Sequence, residues 1–213
     1  ATTGIYTLSL HDALPISDWE IGYLTAEINT GRFFDKSKPK PNLIKVGSNL
    51  SPITTMGGFS IHPDITISDL SAEKGDILIL PGADTWFEEK NLLVLEKVTE
   101  LLEKEIYVAA ICGATIASAE KGLLDTRYHT SNDKDFLKMF SKNYKGENFY
   151  VEQPTVNDKN VITASGLAPL EFTYEIFRTL NVMKSDTLEA CYNLHKTKEP
   201  KYFFQLMNSI EEY

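Results

Sequence analysis

The sequence has little cysteine, few basic residues and no long apolar run, and each shortage closes off a class of function. Cysteine occurs twice, at Cys112 and Cys191. Two thiols make neither a disulfide framework nor a four-ligand zinc site, so a reducing, cytoplasmic setting is expected. Lys and Arg number 21 against 30 Asp and Glu, a net charge of −9. With an isoelectric point near 5.0, the chain is expected to bind neither nucleic acid nor an anionic membrane surface. The Lys-rich stretches, Asp35 to Lys45 and Lys196 to Lys201, are broken by Pro and acids and read as solvated loops. The longest apolar run, Ile106 to Ala119, falls short of the roughly 20 residues that a membrane-spanning helix needs. The opening residues show no basic stretch followed by an apolar one, so no secretory leader is expected.

What is there suits a packed globular fold. A hydrophobic content of 42% and an aromatic content of 11% are enough for a core. With 213 residues, no internal repeat and no low-complexity segment, a single domain over residues 17–213 is expected. Helical and strand patterns alternate, which predicts an α/β layer fold. Apolar spacing predicts helices over 18–29, 91–104, after Cys112, and over 133–140, 167–180, 188–195 and 202–213. Strands are predicted over 43–46, 75–80, 106–111 and 161–164, with a strand region at 149–156 interrupted by Pro154. A small hairpin is predicted over 51–67, around Met56-Gly57-Gly58.

The start of the chain breaks the pattern. A leading strand in such a fold is normally central and solidly apolar, yet 6-YTLSLHDALPIS-17 carries Ser9, His11, Asp12 and Pro15. The string resembles the conceptual translation of a sequencing-adapter read-through. Residues 1–16 are therefore expected to replace a native first strand, with native sequence resuming near Ser17 or Asp18. Residues 5 to 10, IYTLSL, nevertheless alternate well enough to form a strand.

The informative stretch is 106-IYVAAICGATIASAEKGLL-124. An apolar strand gives way at Cys112 to small helix formers, which is the layout of a nucleophile elbow, here A-I-C-G-A from Ala110 to Ala114. At the N-terminus of its helix, a thiol is expected to ionise below its free value of about 8.5, because unpaired amides and the helix dipole favour the anion. On this local pattern alone, an activated nucleophile and an inert core cysteine fit equally well.

Together with 18-DWEIGYLTAEIN-29, 56-MGGFSIHPDITISDL-70, 78-LILPGADTW-86, 129-HTSN-132 and 185-SDTLEAC-191, the elbow resembles the ThiJ/PfpI superfamily. The similarity is greatest to the bacterial branch labelled protease or glutamine-amidotransferase-like. The resemblance implies a flavodoxin-like three-layer α/β sandwich with a mostly parallel central sheet, no cofactor, a small-molecule substrate and a homodimer. It implies that Glu20 presents a protonated carboxyl to the Cys112 thiolate, although a first-turn helix acid needs no such role. It implies an oxyanion hole from the amides of Gly82, Ala83 and Gly113, although Pro81-Gly82 is also a plain turn. His129 reads as a base or proton shuttle, or as a satisfied structural histidine. Trp86 reads as a pocket wall or as core.

Two departures narrow the activity. Family proteases carry His directly after the nucleophilic Cys, where Gly113 stands here, which argues against a peptidase. The region 163-TASGLAPLEF-172 offers Glu171 but no histidine for an amidotransferase triad, which argues against glutamine hydrolysis. His62, His195 and Cys191 show no metal-ligand pattern. The expectation is a cysteine-dependent hydrolase or lyase acting on glyoxal-like carbonyls or amide-type substrates. The alternatives are a stress-response sensor whose Cys112 is oxidised to the sulfinate, and a structural protein with an inert thiol.

Overall fold

The computed structural model of the chain describes residues 4–8, 16–86, 88 and 91–211. The sheet grows from two strands that are apolar almost throughout, β6 (Ile77–Leu80) and β7 (Tyr107–Ile111), as strands covered on both faces must be. They pair in parallel, Ile77 opposite Tyr107 and Leu80 opposite Ala110. Beyond β6 lie β1 (Gly4–Leu8), β2 (Asn42–Gly47) and β5 (Ile65–Thr66). Beyond β7 lie β9 (Val161–Ala164) and β8 (Thr155–Asp158). The order is β5-β2-β1-β6-β7-β9-β8, parallel throughout except for β8 against β9. The first strand is thus interior, as expected. Of the adapter-like string, residues 9–15 lie outside the described residues. The predicted hairpin is present as β3 (Ile53–Thr54) and β4 (Ser60–Ile61), paired antiparallel.

Seven helices complete the described fold: α1 (Asp18–Thr30), α2 (Leu92–Glu103), α3 (Gly113–Glu120), α4 (Lys134–Phe140), α5 (Pro169–Leu180), α6 (Ser185–Thr197) and α7 (Pro200–Glu211). Because strand side chains alternate between faces, the core splits in two. Leu78, Leu80, Val108 and Ala110 pack with Val94, Val98 and Leu101 of α2 and Ala114 and Ala117 of α3. Ile77, Ile79, Ala109 and Ile111 pack with Leu24 and Ile28 of α1 and Phe172 and Ile176 of α5. Helices therefore cover both faces of a mostly parallel sheet, a three-layer sandwich.

The differences from expectation have local causes. The strand predicted over 149–156 begins only at Thr155, since Pro154 has no amide to donate to a ladder. Helix α5 starts at Pro169, whose fixed φ suits the first helical position, and leaves Leu167 fully in solvent. Helix α6 runs to Thr197, where Lys198 closes it in the left-handed conformation. The loops after β6, β7 and β9 carry Gly82, Cys112 and Gly166 to one end of the sheet, where ligands of open α/β sheets collect.

Candidate active site

Cys112 follows β7 and caps α3 with φ 56° and ψ −122°. A non-glycine residue held at such angles stores on the order of 1–3 kcal/mol, so its surroundings must fix it. They do. Its amide donates to the Ala164 carbonyl at 3.0 Å. Its carbonyl accepts the Thr115 hydroxyl at 2.6 Å, and Thr115 is hydrogen-bonded in turn to the Ser131 hydroxyl at 2.6 Å. Ala110 and Ala114, the outer positions of the elbow, are buried, so larger side chains have no room at the turn.

Three groups converge on the sulfur. Glu20, in the first turn of α1, is 1% exposed. Its Oε2 accepts the Gly82 amide at 2.6 Å, and its carboxyl also hydrogen-bonds Cys112 and Ser17. Asn132 donates its side-chain amide to Sγ at 3.3 Å. Its Oδ1 accepts the Gly166 amide at 2.7 Å, and that bond settles which end of the Asn132 side chain faces the sulfur. The Gly113 amide, at the start of α3, is the third group and the second donor to the sulfur. Gly82 and Gly166 let the chain close on this cluster. A Cβ on Gly82 would stand 2.6 Å from Glu20 Oε2, and one on Gly166 would stand 2.8 Å from Cys112 Sγ.

The electrostatics correct one expectation. Burial raises Glu20 above the ordinary carboxylate range, against the pull of the Gly82, Cys112 and Ser17 hydrogen bonds. Burial also raises the Cys112 thiol, and the facing Glu20 charge adds to it. The Asn132 and Gly113 donors work in the opposite direction without prevailing. The helix end therefore does not by itself make a low-pKa thiolate. Instead, thiol and carboxyl form a coupled pair in which burial and each group's charge disfavour ionisation of the other.

Of the residues read from the sequence, Cys112, Glu20, Gly82, Ala83 and Gly113 come together. The Gly82 amide is committed to Glu20, so it is withdrawn from the oxyanion hole. The Ala83 amide has no acceptor among the described residues, and it lies 3.5 Å from where a Cβ on Gly113 would stand. His129 is a correction. It is fully buried, with Nδ1 at 2.7 Å from the Arg127 carbonyl and Nε2 at 2.7 Å from the Tyr144 hydroxyl. Both ring nitrogens are committed, and it does not line the cavity at Cys112. Trp86 is core, its indole donating to the Pro81 carbonyl at 2.9 Å. Glu171 is paired with Lys196 and Tyr192 instead of with any histidine. The asparagine of the HTSN stretch, Asn132, reaches the sulfur although nothing in the sequence pattern singles it out beside His129.

A cavity of about 320 Å³ opens over Cys112. Ser17, Ala83, Asp84 and Asn132 line it, together with Met56, Ile116, Phe136 and Phe140. A larger hollow of about 570 Å³ lies between α6 and α7, but among the described residues neither a cysteine nor a histidine lines it. Among the described residues, no three His, Cys, Asp or Glu side chains gather closely enough to hold a metal ion. No described helix is long and apolar enough to cross a membrane.

Known proteins share this architecture. The profile of the DJ-1/PfpI family matches residues 14–179. A Bacillus subtilis (strain 168) protein named uncharacterized protease YoaZ is 46% identical over 209 residues, covering 98% of each chain. The glutathione-independent glyoxalase DJR-1.2 of Caenorhabditis elegans is 27% identical over 146 residues, covering 65% of this chain and 73% of that one. The crystal structure of a thiJ/pfpI family protein from Bacillus anthracis superposes with a TM-score of 0.93 at 49% identity, covering 98% of this chain and 97% of its own. With the profile spanning most of the sequence and relatives matching nearly end to end, the chain belongs to the DJ-1/PfpI family.

Proposed function

We propose that this protein is a cysteine-dependent enzyme acting on small carbonyl or amide-type substrates, with Cys112 as the nucleophile. The observation that carries this reading is a strained, half-buried thiol held against the Glu20 carboxyl and the Asn132 amide at the mouth of a cavity. In the first step Glu20 accepts the S–H proton as the sulfur attacks the carbonyl carbon. The C–S bond forms, the carbonyl π pair moves to oxygen, and the Ala83 and Gly113 amides offset the new charge. Glu20 then returns the proton to that oxygen, leaving a neutral adduct. With an aldehyde the adduct is a hemithioacetal.

The glyoxalase name of the nematode relative supports an α-oxoaldehyde as the first substrate to test. The Bacillus subtilis relative is named a protease. Against that chemistry here, no imidazole lines the cavity among the described residues. The test is steady-state conversion of methylglyoxal to lactate. Cys112→Ser is expected to lower kcat about a thousandfold or more, and turnover equal in the wild type and this variant would refute the assignment.

A second reading rests on the same open thiol. Peroxide would oxidise Cys112 to the sulfenate and then the sulfinate, with water leaving at each step and the Glu20 carboxyl hydrogen-bonding the new oxygens. Cys191 is the internal control, since burial pushes its thiol up to about 11. Absence of turnover combined with peroxide oxidation confined to Cys112 would favour this sensor over the enzyme.

A further inference from the structure

We infer that the Cys112 site selects an uncharged carbonyl compound bearing an aromatic or comparably bulky apolar group, seated against Phe136 and Phe140 of α4. The inference deepens the proposed function and rests on Cys112 being the nucleophile.

Phe136 and Phe140 stand one helical turn apart on the same face of α4. Their ring centroids are 4.5 Å apart with an interplanar angle of 44°. Neither ring is needed to dock the helix. Leu137 is fully buried beneath it. Asp133 caps its start by accepting the Phe136 amide at 2.8 Å. Ser141 fastens its end by donating to the Ile116 carbonyl at 2.9 Å. Both rings therefore remain exposed while lining the cavity at Cys112, beside Met56 and Ile116. Clustered apolar surface of this kind marks a place where something apolar binds.

The wall is tied to the nucleophile by the chain itself. Asn132, which donates to the sulfur, immediately precedes the Asp133 cap of α4. A carbonyl carbon brought to Cys112 thus places its substituent toward the two rings. Charge narrows the choice. Among the described lining residues Asp84 is acidic and none is Lys or Arg, so no cationic side chain there pairs with a carboxylate or phosphate. Size narrows it further. At about 320 Å³, the cavity is at the small end for ligand sites. It suits a single ring carrying the reacting carbonyl, whereas methylglyoxal would leave the ring-lined part to water.

The test uses Cys112 alkylation as well as turnover. In alkylation, the sulfur displaces bromide from an α-bromoketone, the C–S bond forms as C–Br breaks, and the thiol proton passes to Glu20 or solvent. The full-length protein is treated with phenacyl bromide or bromoacetone, and labelling at Cys112 is followed by peptide mass spectrometry. Each rate is normalised to that of free cysteine with the same reagent. The wild type is expected to favour phenacyl bromide by at least about tenfold. Phe136→Ala and Phe140→Ala are each expected to reduce that preference roughly fivefold, while Met139→Ala, on the same helix but outside the cavity lining, leaves it unchanged. A normalised preference near unity in the wild type, or one that neither Phe variant alters, overturns the inference. Phenylglyoxal and methylglyoxal turnover then separates the two claims. Phenacyl preference with no turnover of either aldehyde removes the enzyme and keeps the aromatic site. Turnover of methylglyoxal with no aromatic preference keeps the enzyme and removes this inference.

Discussion

The surroundings of His129 and of Cys112 are both buried and polar, yet they are built on opposite terms. Around His129 every partner is present: both ring nitrogens are bonded, and Tyr144 and Tyr150 pack edge-on with centroids 5.5 and 5.8 Å away. Burial lowers the His129 pKa, so the ring is held neutral. Around Cys112 the backbone is strained, two acidic groups face each other, an amide at Ala83 has no acceptor among the described residues, and a cavity stands open. Satisfied polar groups stabilise a fold, whereas strained and incompletely satisfied ones mark where a ligand completes the set. Completeness of partners separates the two, and residue type does not.

Removing His129 gives the largest expected effect. His129→Ala leaves the Tyr144 hydroxyl and the Arg127 carbonyl unpaired beside a cavity, and should lower unfolding free energy by about 3 kcal/mol in urea titration. Activity per folded molecule should stay within about twofold, and a selective loss of activity would erase the contrast. The pH dependence follows from the same contact. His129 has a folded pKa below its unfolded value of about 6.5. Its contribution is therefore present above that value and is lost as pH falls through the folded pKa. The mutant's deficit should accordingly narrow in acid.

Asn132 is expected to show the reverse signature. Asn132→Ala should lower kcat/KM, and the alkylation rate of Cys112, about tenfold with little change in melting temperature, as loss of one hydrogen bond to a charged sulfur implies. A large drop in stability with unchanged reactivity would place it in the structural class with His129. The smallest effect tests strain. Cys112→Gly should be more stable than Cys112→Ala by about 1 kcal/mol, because only glycine is relaxed at the observed φ. Equal stabilities would mean that the elbow is unstrained.

Much of the architecture was legible because the strands are apolar throughout and the helices carry apolar faces. Leu78 and Leu80 pack on one side of the sheet and Ile77 and Ile79 on the other, as alternation requires. The elbow was legible from Ala110, Cys112 and Ala114, since the crowding of strand against helix restricts residue size locally. Tertiary relations were harder to read. Nothing in the sequence around Gly82 says that its amide is committed to Glu20, and nothing near Asn132 says that Gly166 orients it. The direction of the thiol shift is hidden from the sequence for a related reason. A helix terminus is visible in sequence, but the larger effect of burial beside a carboxylate depends on what the fold packs there.

The pairing of Cys112 with Glu20 is tested most directly by the pH dependence of Cys112 alkylation by iodoacetamide in the wild type and in Glu20→Gln. Glutamine keeps the acceptor for the Gly82 amide but removes the charge that raises the thiol. The midpoint should move to lower pH in the variant. A midpoint that stays in place or moves up would mean that Glu20 carries no charge when the thiol ionises, and the coupling of the two groups would be wrong.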